Sequence, residues 1–145
     1  MSDWLSCIFE RGPLATAAKV AAFAEARQAI LADNIANIDT PGYKVRDLPV
    51  AEFQQALARA IEHTRVGGAP LRMESTRNIT VEPDGRLTFT PVERDDANLL
   101  FHDRGNRSIE QEMGEMVKNA LVHRVATEVL RKQQETLEAA IREKF

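Results

Sequence analysis

The chain has 145 residues, with 19 Lys and Arg against 22 Asp and Glu, and a single cysteine. A formal charge of −3 gives no general attraction to nucleic acid or anionic lipid, lone Cys7 excludes an intramolecular disulfide and a multi-cysteine zinc site, and the length suits one structural unit. No apolar run approaches the roughly 18 residues that a membrane-spanning helix needs, and Asp3 stands where a secretory leader would be basic.

From Pro13 onward, Leu14, Ala17, Ala21, Ala24, Gln28, Leu31, Ile35 and Ile38 recur at alternating steps of three and four, flanked by Val20, Phe23 and Ile30. This spacing predicts an amphipathic N-terminal helix over 13–39, with Pro13 in its first turn. Pro41 stops it, because proline lacks the backbone donor and disfavours helical geometry at Thr40.

Residues 40–107 hold most of the prolines and glycines and no sustained period, so this irregular middle is expected to specify itself weakly. Phe53, Leu57 and Ile61 at steps of four predict a short helix over 51–62, followed by a loop over 64–70. Ile79, Val81, Leu87 and Phe89 alternate on both sides of Asp84-Gly85, the pattern of a β-hairpin that leans on a neighbour for stability.

The last stretch carries Ile109, Met113, Met116, Ala120, His123, Thr127, Leu130, Gln134, Leu137 and Ile141 at steps of four and three. Ser108 and Gln111 form a capping box, Glu110 and Glu112 make the first turn acidic, and Arg142 and Lys144 lie near the end. A helix over 108–145 follows, and at about 55 Å it is too long for a compact domain of this size. The fold class expected is mainly α: two long terminal helices packed as a coiled-coil-like hairpin around the irregular middle. The same stripes fit packing between molecules. Gln28, His123, Thr127 and Gln134 are candidates for setting register, and Glu128 to Lys132 and Glu138 to Arg142 for exposed ion pairs.

No phosphate loop, dinucleotide fingerprint or metalloprotease motif is present. His63, His102 and His123 fall in separate segments without ligand spacing, and Glu93, Asp95 and Asp96 read as a solvated acidic loop. These features point away from an enzyme and imply no cofactor and no small-molecule substrate.

The informative segment is Ala32-Asp33-Asn34-Ile35-Ala36-Asn37-Ile38-Asp39-Thr40-Pro41-Gly42-Tyr43-Lys44. Thr40-Pro41-Gly42-Tyr43 is a type II turn candidate with Gly42 at positive φ, and Asn34 and Asn37 can brace it through backbone hydrogen bonds. The run resembles the signature of the flagellar rod and hook family. Trp4-Leu5, Phe9-Glu10-Arg11-Gly12, the stretch Asn98 to Asp103 leading into Gly105-Asn106, and the final helix are similar to the short proximal rod subunits of that family. Arg104 departs from the pattern before the last helix.

The resemblance maps the family signature onto Asn34, Ala36, Asn37, Thr40, Pro41, Gly42, Tyr43 and Lys44. It implies a structural subunit whose terminal helices pack beside those of its neighbours in a helical tube that transmits torque. Leu31, Ile35, Ile38, Ile109, Met113, Met116, Leu130, Leu137 and Ile141 are the expected assembly positions. The implied partners are other rod proteins, a basal-body junction protein, further copies of the chain and the flagellar type III export apparatus. The implied location is the rod across the periplasm, reached without cleavage of a leader, with Leu5, Ile8 and Phe9 as a candidate export signal. A soluble coiled-coil adaptor or secretion chaperone is the alternative, and it leaves the signature unexplained.

Overall fold

A computed structural model describes residues 12–94 and 104–142, with residues 104–108 given by their backbone alone. The order is α1 (Pro13–Ala36), β1 (Arg46–Asp47), α2 (Val50–Gly67), β2 (Ile79–Val81), β3 (Leu87–Phe89), β4 (Val92–Glu93) and α3 (Arg104–Arg142). The fold is mainly α, and α1 and α3 pack along one another. They run antiparallel, since Asn34 meets Glu112 and Gln28 meets Asn119. α3 has 39 residues and α1 has 24, or about 58 and 36 Å at ~1.5 Å per residue, so α3 outlasts its partner.

α1 is held on two faces. Ala24 and Leu31 are fully buried on the side of Gln28 and Asn34, which bond to α3, while Phe23 turns toward the middle of the chain. There it stacks on Phe53 of α2 at 4.1 Å between ring centroids and meets Phe89 of β3 edge-on at 5.3 Å. Each such aromatic pair adds roughly 0.5–1.5 kcal/mol beyond its buried area. Ala15, Leu48, Ala56, Leu57, Ala60, Leu71, Met73 and Ile79 complete this cluster. The main hydrophobic core thus lies in residues expected to specify themselves weakly. The reason is that its apolar side chains come singly from several short elements and give no periodic signal.

α2 runs to Gly67, beyond the expected end at residue 62. Ala60 continues the inward row, the Thr64 hydroxyl donates to the Ala60 carbonyl, and Gly68 ends the helix at φ 62°, its N–H bonded to the Thr64 carbonyl. That left-handed cap is where glycine costs least. α1 ends earlier than expected, at Ala36, because the Asn37 backbone N–H and side-chain amide both donate to the Asp33 carbonyl and close the last turn. α3 begins at Arg104, so Ser108 lies within it, and Glu112 falls beyond the first turn in which it was expected to complement the dipole.

The hairpin pairs Ile79 with Phe89, Thr80 with Thr88 and Val81 with Leu87. Its loop, Pro83-Asp84-Gly85, is spanned by the Glu82 N–H bonding to the Arg86 carbonyl, the three-residue form of such connections. Two ties fasten it. Glu52 on α2 accepts from the Thr76 hydroxyl, the Asn78 backbone N–H (3.1 Å) and the Asn78 amide (2.7 Å), and Lys19 on α1 donates to the Gly85 carbonyl. Burial lowers the Lys19 pKa, and nearby Asp84 pulls it back up.

A second strand pair, β1 with β4, sets Arg46 opposite Glu93 and Asp47 opposite Val92. It was not expected, since two-residue strands carry no alternation. It returns residues 92–94 to the side of the signature turn.

Candidate functional site: a polar clamp at the signature turn

The turn after α1 closes through the Tyr43 N–H to the Thr40 carbonyl at 3.1 Å, with Pro41 in second position and Gly42 at φ 79° in third. This is type II geometry, and a side chain at Gly42 would be strained whatever space surrounds it. The turn reverses the chain so that Tyr43 and Arg46 face back onto the last turn of α1.

Asn34 receives them. Its amide nitrogen donates to the Arg46 carbonyl (2.7 Å) and to Glu112 Oε2 on α3 (3.0 Å). Its oxygen accepts from the Tyr43 hydroxyl (3.1 Å) and the Arg46 N–H (3.2 Å). An amide offers two donor protons and two lone pairs, and all are used. Glu112 is 2% exposed, and its other oxygen accepts from Arg94 Nη1 at 3.0 Å. The buried carboxylate therefore has both a counter-charge and hydrogen bonds, the condition under which burying it is tolerable.

A second knot lies two turns back. Arg27 grips Asp47 with its fork, Nε to Oδ1 and Nη2 to Oδ2, both at 2.7 Å, and Nη2 also reaches Glu115 Oε2 at 3.1 Å. The Asp47 hydrogen bond raises the Arg27 pKa against the opposing effect of burial, and Glu115 adds to the rise. Glu115 is held below the usual carboxylate range first by its hydrogen bond from Lys118, then by Arg27, with desolvation opposing. Further along, the Asn119 amide donates to the Ala24 carbonyl (2.7 Å) and to Gln28 Oε1 (2.8 Å). Three polar knots thus fix one register of α1 on α3, a role for which fully satisfied buried networks are suited.

Of the signature residues, Asn34 and Tyr43 enter the clamp, Asn37, Thr40, Pro41 and Gly42 build the turn, and Ala36 and Lys44 lie at the surface, with Lys44 paired to Glu93 at 2.7 Å. Leu31 is packed inside the subunit at 0% exposure. Ile35, Ile38, Ile109, Met116, Leu130 and Leu137 are half-buried, whereas Met113 and Ile141 are exposed. Gln28 takes part in register, but Thr127 bonds to carbonyls of its own helix and Gln134 is exposed. Glu128 bonds Arg131, which also reaches Glu135, rather than Lys132, because the guanidinium spans both carboxylates from one position.

The residues missed by sequence reasoning are Arg27, Asp47, Arg94, Glu112, Glu115 and Asn119. A signal existed: Glu112, Asn119 and Ala126, the buried residues of α3 among those whose side chains are described, are spaced by seven. Two of the three are polar, so hydrophobic periodicity does not reveal it. The seam is consequently turned from the predicted apolar line, leaving Met113, Val117, Leu121 and Val125, spaced by four, as one exposed apolar face. Among the described residues no three His, Cys, Asp or Glu side chains converge, and none of the helices could cross a membrane. Leu5, Ile8, Phe9, Asp95, Asp96, the Asn98 to Asp103 stretch and His102 lie outside the described residues.

The profile of the family described as "Flagella basal body rod protein" matches residues 15–44, which is α1 together with the turn. A Borrelia hermsii protein named "Flagellar basal body rod protein FlgB" is 30% identical over 105 residues, 71% of this chain and 76% of the relative. One of the same name from Aeromonas hydrophila is 32% identical over 107 residues, covering 72% and 73%. The chain belongs to the flagellar basal body rod protein family. A third member of the family, from Proteus mirabilis strain HI4320, is 42% identical over 77 residues, 52% of this chain, and there the chain spans about half the relative's length, 48%. The family match ends at Lys44, so it takes in the α1 and turn components of the clamp, while Glu112 and Arg94 reach it from outside the matched residues.

Proposed function

We propose that the chain is a structural subunit of the proximal rod of the bacterial flagellar basal body, without catalytic activity, assembling through its terminal helices into a tube that transmits torque. The observation that carries this reading is the pairing of an internal clamp with an uncovered seam. Asn34 and Arg27 lock α1 onto α3, while Met113, Val117, Leu121 and Val125 leave an apolar stripe along the outside of α3. A rigid pair of helices with an apolar outer face suits head-to-tail contacts that do not close, and such contacts build filaments. Burial of that stripe, at roughly 25 cal/mol per Å², would supply most of the association energy, with exposed pairs such as Arg131 to Glu128 adding tenths of a kcal/mol.

The partners are other rod proteins, the basal-body junction protein and further copies of this chain, and the type III apparatus exports it with Leu5, Ile8 and Phe9 as the signal. The signature residues Asn34, Asn37, Thr40, Pro41, Gly42 and Tyr43 set the direction in which the chain leaves α1, and Ala36 and Lys44 lie on the face offered to neighbours. Deleting the gene in the source bacterium should abolish swimming and external filaments, with restoration by the intact gene. Retained motility would overturn the assignment. Replacing Leu5, Ile8 and Phe9 by Ser should stop export while leaving expression intact, and normal secretion would remove the export part alone.

A further inference from the structure

Between the start of α1, the stretch 71–73 and the hairpin loop lies a half-open cleft of about 520 Å³. Ala15, Leu71 and Met73 are buried and give it an apolar floor. Lys19, Arg72, Glu82 and Asp84 are the charged residues that line it.

Lys19 differs from the other lysines whose side chains are described. Lys44 meets Glu93 at 2.7 Å, Lys118 meets Glu115 at 2.9 Å, and Lys132 is exposed on α3. Lys19 donates instead to a backbone carbonyl, that of Gly85, and is half-buried at the cleft. Burial lowers its pKa while Asp84 opposes the shift, so more of its amine is neutral near pH 7 than full solvation would allow. One N–H of the neutral amine is enough to hold the Gly85 carbonyl, which leaves the nitrogen lone pair for an electrophile in the cleft. A partly desolvated lysine amine is the form of this side chain that acts as a nucleophile.

We propose that Lys19 is an acyl-acceptor site, whose amine takes a small acyl group from an acyl phosphate that enters the cleft. The nitrogen attacks the acyl carbon, and the N–C bond forms as the C–O bond to phosphate breaks. Phosphate departs with that electron pair and takes up the proton that the nitrogen sheds, so neither Glu82 nor Asp84 has to serve as a base. A cleft of this volume admits a donor of that size whole. The amide product keeps one N–H for the Gly85 carbonyl, and its acyl group lies over Ala15, Leu71 and Met73. The charge is lost, so the tie between hairpin loop and α1 changes from a charge-assisted hydrogen bond to a neutral one of roughly half the strength. Acylation therefore loosens the loop on α1. The inference rests on the cleft and does not depend on the rod assignment.

Acetyl phosphate is the probe. The full-length native chain is treated with it at neutral pH, and acetylation of each lysine is followed by peptide mass spectrometry at low conversion. Lys19 should take up label several-fold faster than exposed Lys132, and its rate should level off at a lower pH than it does in urea that unfolds the chain. In that urea the rates at Lys19 and Lys132 should converge. Asp84→Asn removes the charge that favours the Lys19 ammonium, so it should speed Lys19 further and leave Lys132 unchanged, with helix content by circular dichroism intact. Equal rates at the two lysines of the native chain overturn the proposal, and that measurement needs no variant to fold. So does a preference that survives in urea, which would belong to local sequence alone, and so does a rate at Lys19 that Asp84→Asn leaves unaltered.

Discussion

Asn34 and Glu112, 78 residues apart, share a 3.0 Å hydrogen bond from amide to carboxylate in a place that water does not reach. Through it the turn that reverses the chain after α1 is joined to the long helix that returns beside α1. Asn34→Ala removes all four of the amide's bonds and leaves Arg94 as the remaining clamp partner of Glu112. Loss of about 2–4 kcal/mol is expected from urea unfolding, since stranded buried polar groups cost more than the bonds themselves return. Asn34→Asp should be worse at neutral pH, because it sets a second carboxylate at hydrogen-bond distance from Glu112. A variant as stable as the native chain would mean that Asn34 does not hold the clamp.

Arg27 distinguishes a fork from a charge. Arg27→Lys keeps the charge but cannot make two parallel bonds to Asp47 while reaching Glu115. Arg27→Met fills similar volume and takes the cation from Asp47, while Glu115 keeps only Lys118. The expected order of stability is native, then Lys, then Met. The Met variant should lose about 2 kcal/mol, below the value for a deeply buried pair because these side chains keep some solvent contact. Equal denaturant midpoints for Lys and Met would assign the effect to charge-independent packing.

How much of this was legible depends on which signal each residue left in the sequence. α1, α3 and the hairpin were readable because Leu31 and Phe23, or Ile79 and Phe89, sit on periods set by backbone geometry alone. The turn was readable because Pro41 and Gly42 restrict the backbone itself. Glu112 and Asn119 were not, since a buried polar residue looks like a surface residue until its partner is known, and the partners Arg94, Asn34 and Gln28 are remote in sequence. β1 and β4 leave no mark in the sequence either: two residues give no alternation, and their pairing is decided by where the turn sends the chain.

The Glu52 carboxyl is held below its ordinary pKa by the Thr76 hydroxyl first, then by the side-chain and backbone donors of Asn78. Its folded pKa is depressed, so the stability it contributes is fully present above the unfolded value of about 4.3 and is lost as pH falls through the folded value. Thermal midpoints measured from neutral pH down into this window should therefore fall, and part of that fall should be missing in Glu52→Gln. The Gln variant should start lower at neutral pH, because its amide hydrogens oppose the Asn78 donors, and should converge on the native chain in acid. Parallel curves would show that Glu52 does not report the docking of the hairpin on α2.

Leu31 and Val117 separate folding from assembly, because Leu31 is buried on the side of α1 that faces α3 and Val117 lies on the outer face of α3. Leu31 is fully buried within the subunit, and Val117 is 62% exposed on the outer stripe of α3. Leu31→Ala opens a cavity and should cost about 2–5 kcal/mol of subunit stability. Val117→Glu touches no core contact and should shift stability by no more than about 0.5 kcal/mol, yet it places a charge in the seam where a neighbouring helix would lie. Complementation of a deletion strain with Val117→Glu should give normal levels of folded, exported protein and no swimming. Swimming at the native rate would show that this stripe is not an assembly surface, and the search would move to the half-buried positions Ile109 and Met116.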